Sequence, residues 1–264
     1  MEERRFGEVI QFLLPRKILG YEVYRTSSYY VDGLLIDTGF RHAAEDFFKT
    51  AARRRVDQIV ITHHHEDHVG ACHLFHKILG ITPYAHERCI PLMENPPELK
   101  IYRRIIWGRP EPSEARPVAE VVKTGNFSFQ VIHIPGHSED QIGLLEPVEG
   151  WFFSSDLYLK ERMEFMRPEE DAGQIMESLK RVLDLPLKVL FCSSGRVVNE
   201  PEKAILGKLR FLEELREKVH YLAEKGLSEI KIRDEILGKE GFFKFISGGE
   251  FSKLNLIKSL LKIG

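Results

Sequence analysis

Residues 59–70 constrain this chain more than any other stretch. Three β-branched apolar residues, Ile59, Val60 and Ile61, run through Thr62 into His63, His64, His65, Glu66, Asp67 and His68, followed by Val69 and Gly70. The apolar run is too short for a helix and is bounded by turn-type residues, so it reads as a buried strand. The histidines and carboxylates therefore lie at a strand's C-terminal end, where α/β sheets keep their ligands. Imidazole and carboxylate at this density suit a borderline-hard cation such as zinc, iron or manganese. His63 and His65, two apart on extended or turning backbone, can face one cation, while Asp67 and His68 can face a second position.

The rest of the chain supplies more strand ends of the same kind. Residues 6–36 read as a β-meander, with apolar runs at 9–13, 21–24, 29–31 and 34–36, the last ending in Asp37, Thr38 and Gly39. Amphipathic helices are predicted over 42–54 and 71–79, the second stopped by Gly80, with a short strand over 81–85. Residues 91–118 hold six prolines around Tyr102 and Trp107 and read as a long irregular connection, either a lid or an inert excursion. The alternating strand 127–134 runs into Pro135, Gly136, His137 and Ser138, and its His133 reads as a core histidine. Strands over 142–145 and 151–153 follow, the second leading to Ser154, Ser155 and Asp156. After a helix over 174–183, the strand 188–191 ends in Cys192, Ser193, Ser194 and Gly195. His137 and Asp156 thus each follow a separate strand, and one sheet edge can gather them with the first motif.

The pattern changes near Pro201. Ile205, Leu209, Leu212, Leu215, Val219 and Leu222 keep a three-to-four spacing, and further helices are predicted over 228–237 and 251–263. The chain divides into residues 1–200 and a helical subdomain, 201–264, whose apolar stripe suits core packing or a homodimer contact.

Composition narrows the partners. A net charge of −2 gives no electrostatic case for nucleic acid, and no stretch approaches the ~18 apolar residues of a membrane span. The charged start, Met1 to Arg5, does not read as a secretory signal. Three scattered cysteines, Cys72, Cys89 and Cys192, suit reduced thiols in a cytoplasm. Scarce asparagine beside abundant Lys, Arg and Glu hints at a thermophilic source.

The stretch from Thr62 to Gly70 resembles the His-x-His-x-Asp-His motif of the metallo-β-lactamase-fold superfamily. Pro135-Gly136-His137-Ser138 resembles that family's second ligand motif, Ser154-Ser155-Asp156 its bridging-aspartate motif, and Asp37-Thr38-Gly39 the turn that supports the first motif. The resemblance implies an α+β fold, a four-layer αββα sandwich with the metal site at one edge of the β-sandwich, and a small helical C-terminal subdomain. It implies that His63, His65 and His137 bind a first metal, that Asp67 and His68 bind a second, and that Asp156 bridges the two. Asp67 would also orient a metal-bound hydroxide and take a proton. Asp37 would hold the motif loop, with His64 and Glu66 as non-ligands. One departure stands out: Ser194 occupies the place of a final histidine ligand to the second metal. That position would then bind weakly, stay empty or recruit Cys192.

The function so implied is a metal-dependent hydrolase of the glyoxalase II-like branch. It would use one or two zinc ions, or iron or manganese, on a small ester, thioester, lactone or phosphoester. Two other readings stay open: a mononuclear iron thiol or persulfide dioxygenase, for which one open metal position suffices, and a metal-binding protein with weakened catalysis. The expected partner is a small molecule, without nucleic acid or membrane.

Overall fold

The computed structural model describes residues 1–263 and is organised by two sheets placed face to face. The first contains seven strands in sequential order: β1 (Glu2–Phe6), β2 (Val9–Ile18), β3 (Tyr21–Val31), β4 (Leu34–Ile36), β5 (Gln58–Ile61), β6 (Tyr84–Ala85) and β7 (Arg116–Pro117). β1 to β4 form an antiparallel meander, and β4 to β7 pair in parallel. The second sheet contains β8 (Val121–Lys123), β9 (Ser128–His133), β10 (Ile142–Glu146), β11 (Trp151–Ser155), β12 (Val189–Cys192) and β13 (Val197–Val198), also in sequential order. The helices are α1 (Ala44–Ala51), α2 (Cys72–Leu79), α3 (Ile90–Glu94), α4 (Ile101–Ile106), α5 (Ala172–Leu183), α6 (Pro201–Glu224), α7 (Glu229–Ile236), α8 (Phe242–Ile246) and α9 (Lys253–Leu261).

Three buried clusters define the four layers. Between the sheets, Val31, Leu34, Ile36 and Val60 meet Phe129, Leu144, Phe153 and Phe191. On the outer face of the first sheet, Phe12, Leu35, Ile59 and Ile61 pack on Phe47 and Phe75 of α1 and α2. On the outer face of the second, Leu145, Phe152 and Leu190 pack on Leu179 of α5 and on Ile205, Leu212 and Val219 of α6, with Leu256 and Leu260 of α9. The apolar spacing of α6 and α9 is thereby used as core, and each buried side chain of this size contributes about 1.5–3 kcal/mol of transfer free energy.

The site end of the sandwich is tied by backbone bonds. The Ile142 amide donates to the Thr62 carbonyl across the two sheets at 2.9 Å, and the Thr38 amide donates to the His68 carbonyl at 2.7 Å. Gly70 lies where an added Cβ would sit 2.2 Å from the Phe40 carbonyl carbon, so the first motif can end only in glycine.

Several local expectations are revised. β1 is a charged, mostly exposed edge strand without apolar alternation, formed because β2 pairs with it from Phe6–Val9 to Glu2–Leu13. β3 is one continuous strand whose buried middle, Thr26, Ser27 and Ser28, broke the apolar pattern. Residues 91–118 are largely irregular, as expected, but they also hold α4, most of α3 and β7, elements too short to show a helical or strand period. The predicted strand over 81–85 shrinks to β6. His133 is half-buried rather than core; it stacks on His86 with ring centroids 4.6 Å apart, and its Nε2 faces the Glu139 carbonyl at 2.9 Å. A short extra helix, α8, stands between α7 and α9.

Candidate metal centre

The site lies where β5, β9 and β11 end. Asp37 (φ 60°) and Ser155 (φ 50°) hold left-handed backbone on either side of it, and Gly136 sits at φ 130°, where a Cβ would meet the Ile175 amide nitrogen at 2.5 Å. Non-glycine residues in that region cost on the order of 1–3 kcal/mol and concentrate at functional sites.

Four imidazoles converge, each with one nitrogen turned inward and the other engaged outside. His65 Nδ1 lies 2.9 Å from both His63 Nε2 and His137 Nε2. The outward nitrogens have distinct partners. His137 Nδ1 meets Glu170 Oε1 at 2.9 Å, and Arg167 Nη1 donates to His65 Nε2 at 3.2 Å. His63 Nδ1 faces Ser155 Oγ at 3.2 Å, and His68 Nδ1 meets Asp37 Oδ2 at 2.8 Å. Asp37 Oδ1 also accepts from the Thr62 amide at 2.8 Å, holding the motif loop as its sequence position implied. His68 Nε2 is left buried with no hydrogen-bond partner, 3.5 Å from Asp67 Oδ2 and 3.4 Å from Asp156 Oδ1. Asp156 Oδ2 lies 3.2 Å from His137 Nε2, so its carboxylate spans the two halves.

Two groups here could hold a cation, His63–His65–His137 and His63–His68–Asp156, the ligand atoms of each lying within 4.8 Å of one another. The donor set fits a divalent ion. Where the outward partner can accept, as Glu170, Ser155 and Asp37 do for His137, His63 and His68, it fixes the ring orientation and frees the inward nitrogen's lone pair, as second-layer groups do around bound metals. Arg167 can only donate, so it fixes the His65 ring without freeing Nδ1. Burial, reinforced by His68 and by Arg167 respectively, pushes His63 and His65 well below the usual imidazole range and keeps them neutral, the ligating form. Burial works against the charged forms of Asp67 and Asp156, yet the surrounding histidines hold both below the ordinary carboxylate range.

His63, His65, Asp67, His68, His137 and Asp156 are thus all brought together. His64 turns away to Asp140, its amide donating to Asp140 Oδ2 at 2.8 Å. Glu66 forms a buried two-point pair with Arg103 of α4 at 2.6 and 2.7 Å, which locks the 91–118 segment to the motif. Cys192 does not join: its thiol is buried in the outer core of the second sheet, and that burial pushes it up to about 12. Ser194 Oγ is buried without a partner, and it is Ser193 whose hydroxyl donates to Asp156.

The sequence reading missed Tyr24, Arg167, Glu170, Ser193 and Lys208. The Tyr24 hydroxyl donates to Asp67 Oδ2 at 2.5 Å, and burial together with Asp67 keeps the phenol protonated. Lys208 of α6 is buried, donates to the Leu157 carbonyl at 2.6 Å, and is lowered by burial to about 8. Glu170 falls in an acidic run just before α5 and carried only that weak signal; Tyr24 carried none.

The Metallo-beta-lactamase superfamily pattern matches residues 21–194 of this chain. Over 168 residues the chain is 30% identical to a beta-lactamase-like protein 2 homolog of Drosophila melanogaster, covering 59% of this chain and about half, 49%, of that protein's length. Over 139 residues it is 28% identical to the hydroxyacylglutathione hydrolase GloC of Haemophilus influenzae, covering 49% of this chain and 62% of the relative. A metallo-beta-lactamase family protein of Thermus thermophilus superposes with a TM-score of 0.68 at 18% identity, covering 95% of this chain and 90% of that one. Another solved structure, a di-iron-bound form, gives 0.58 at 26% identity over 73% of this chain and 96% of the other. With the matched residues spanning all four motifs and well over half its length, the chain belongs to the metallo-beta-lactamase superfamily.

Proposed function

We propose that the chain is a metal-dependent hydrolase of an ester or thioester, with zinc as its ion and a water as nucleophile. The observation that supports this most is the set of four histidines whose outward nitrogens are all engaged while the inward ones, including the orphaned His68 Nε2, point at shared space. When bound there, a divalent ion supplies Lewis acidity and acidifies a water near neutral pH.

The chain's own groups do the rest. Asp67, positioned by Tyr24, orients the attacking water and takes up at its carboxylate the proton released when the tetrahedral adduct collapses. Glu170 and Asp37 keep His137 and His68 in the orientation that turns Nε2 inward. The hydroxyacylglutathione hydrolase relatives favour a thioester over a phosphoester.

Ser194 in place of a histidine supports a second reading as a mononuclear iron dioxygenase of a thiol or persulfide, and the di-iron-bound relative supports iron as the ion though not the single site. Elemental analysis of purified protein, with thioester hydrolysis and oxygen uptake measured on the same sample, separates the two. Zinc with hydrolysis abolished by His63→Ala supports the first. Hydrolysis retained after complete metal removal, or stoichiometric iron with substrate-dependent oxygen uptake, overturns it.

A further inference from the structure

A cavity of about 580 Å³ opens directly onto the candidate metal centre, within the usual range for small-molecule sites. Its two ends differ in chemistry. Tyr24, His137, Asp156, Arg167, Glu170 and Lys208 form the inner end, and beyond them the wall is mainly apolar, with Trp107, Met163, Phe165, Phe243, Ile246 and Phe251 among its residues beside the charged Lys160, Arg162 and Glu164. Phe165, Phe243 and Phe251 form a mutual aromatic trio with centroids 5.5–5.6 Å apart. Arg167 is engaged on both sides, its guanidinium 5.2 Å from the Phe251 ring centre and one nitrogen on His65.

Folding alone does not explain this wall. α8 reads Phe-Phe-Lys-Phe-Ile, yet none of its residues is buried; Phe243 and Ile246 keep 55% and 50% of their surface while lining the cavity. Apolar area left in water at that density forgoes stabilisation that burial would give, which is what a wall awaiting an apolar occupant looks like. A hydroxyacylglutathione, polar and charged along its length, makes no use of such a wall.

We infer that the substrate of this site is an ester or thioester bearing an extended apolar chain, which lies along the Trp107–Phe165–Phe243–Phe251 wall with its carbonyl at the inner end, beside His137 and Asp156. This rests on the hydrolase reading above. The chain belongs to the acyl part or to the leaving group, and the test separates these sources.

The metal-loaded 264-residue chain is assayed with p-nitrophenyl esters from acetate to decanoate, with S-alkyl thioacetates from methyl to decyl, and with a hydroxyacylglutathione. A methylene moved fully out of water gives about 0.8 kcal/mol, so kcat/KM should climb by up to about fourfold per methylene in one of the two series, which identifies the side carrying the chain. In Phe243→Ser, a change at a half-exposed position, the decyl-to-methyl or decanoate-to-acetate ratio of that series should fall at least tenfold. Calorimetric binding of 1-decanol against ethanol reads the cavity without catalysis. Decanol binding weakened by Phe243→Ser, with no ester hydrolysed, keeps the apolar subsite and rejects the hydrolase reading. Hydrolysis without chain-length dependence and without decanol binding, or a preference for the hydroxyacylglutathione over every long-chain substrate, overturns the subsite and leaves the hydrolase reading intact.

Discussion

The His63–His65–His137 and His63–His68–Asp156 groups share an imidazole and a cavity but are built differently. The first is three imidazoles backed by Glu170, Arg167 and Ser155, so its inward face is neutral and its charges stand behind. The second is carboxylate-rich, with Asp156 and Asp67 beside His68, backed by Asp37, Tyr24 and Ser193 and lacking the imidazole that Ser194 replaces. A neutral trio of ligands with one place open is the arrangement of hydrolytic zinc sites. A carboxylate-rich position with a missing ligand holds an ion through charge more than through ligand number. The contrast teaches that the two positions should fail separately when their supports are changed.

The largest effect should come from the residue both groups share. His63→Ala should remove bound metal from both positions and take thioester hydrolysis to background, whereas His68→Ala should leave close to one ion per chain. Equal losses in elemental analysis of the two variants would erase the distinction. Next in size, Glu170→Gln should weaken the first ion and Asp37→Asn the second, each by about 10–100-fold, because each support orients one ligand. Competition with a chelator of known affinity reads both constants. In the opposite direction, Ser194→His should tighten the second ion by about tenfold with no change at the first; unchanged stoichiometry would mean that Ser194 does not mark the missing ligand.

The last effect, on stability and not on metal binding, concerns Lys208, which serves neither position directly. Its folded-state value is lowered to about 8 from 10.5, so between those pH values the unfolded chain holds the proton more often than the native one. Native stability therefore rises with pH across that window, and the burial penalty is fully present below about 8. Lys208→Met should be the more stable form near pH 7 by up to about 3 kcal/mol, less whatever its bond to the Leu157 carbonyl contributes, and that advantage should shrink by pH 10.5. Denaturant unfolding of both proteins at the two pH values checks it.

How much of this was legible follows from where each residue's information lay. The ligand motifs were readable because each is contiguous and follows a run of apolar residues, as at Ile59 to Ile61 before His63. The four layers were readable through those motifs, not through periodicity, which split β3 at Thr26–Ser28 and missed β1 altogether. The supports were hidden for another reason. Tyr24 lies 43 residues from Asp67, and Arg167 lies 102 from His65, so no local pattern ties them together. Arg103 was hidden inside a proline-rich segment whose helix is six residues long.

The bond from the Ile142 amide to the Thr62 carbonyl has a dynamic consequence. It bridges the two sheets beside the histidines, with Ile142 fully buried, so this amide can meet solvent only when the sheets part. Its hydrogen exchange should follow the slowest, most global opening of the domain, while the exposed α8 exchanges through local fluctuations. One amide thus becomes a clock for the ligand-bearing edge: if a bound ion slows exchange at Ile142 as well as at the loops, the ion clamps the two halves of the sandwich together as well as occupying its ligands.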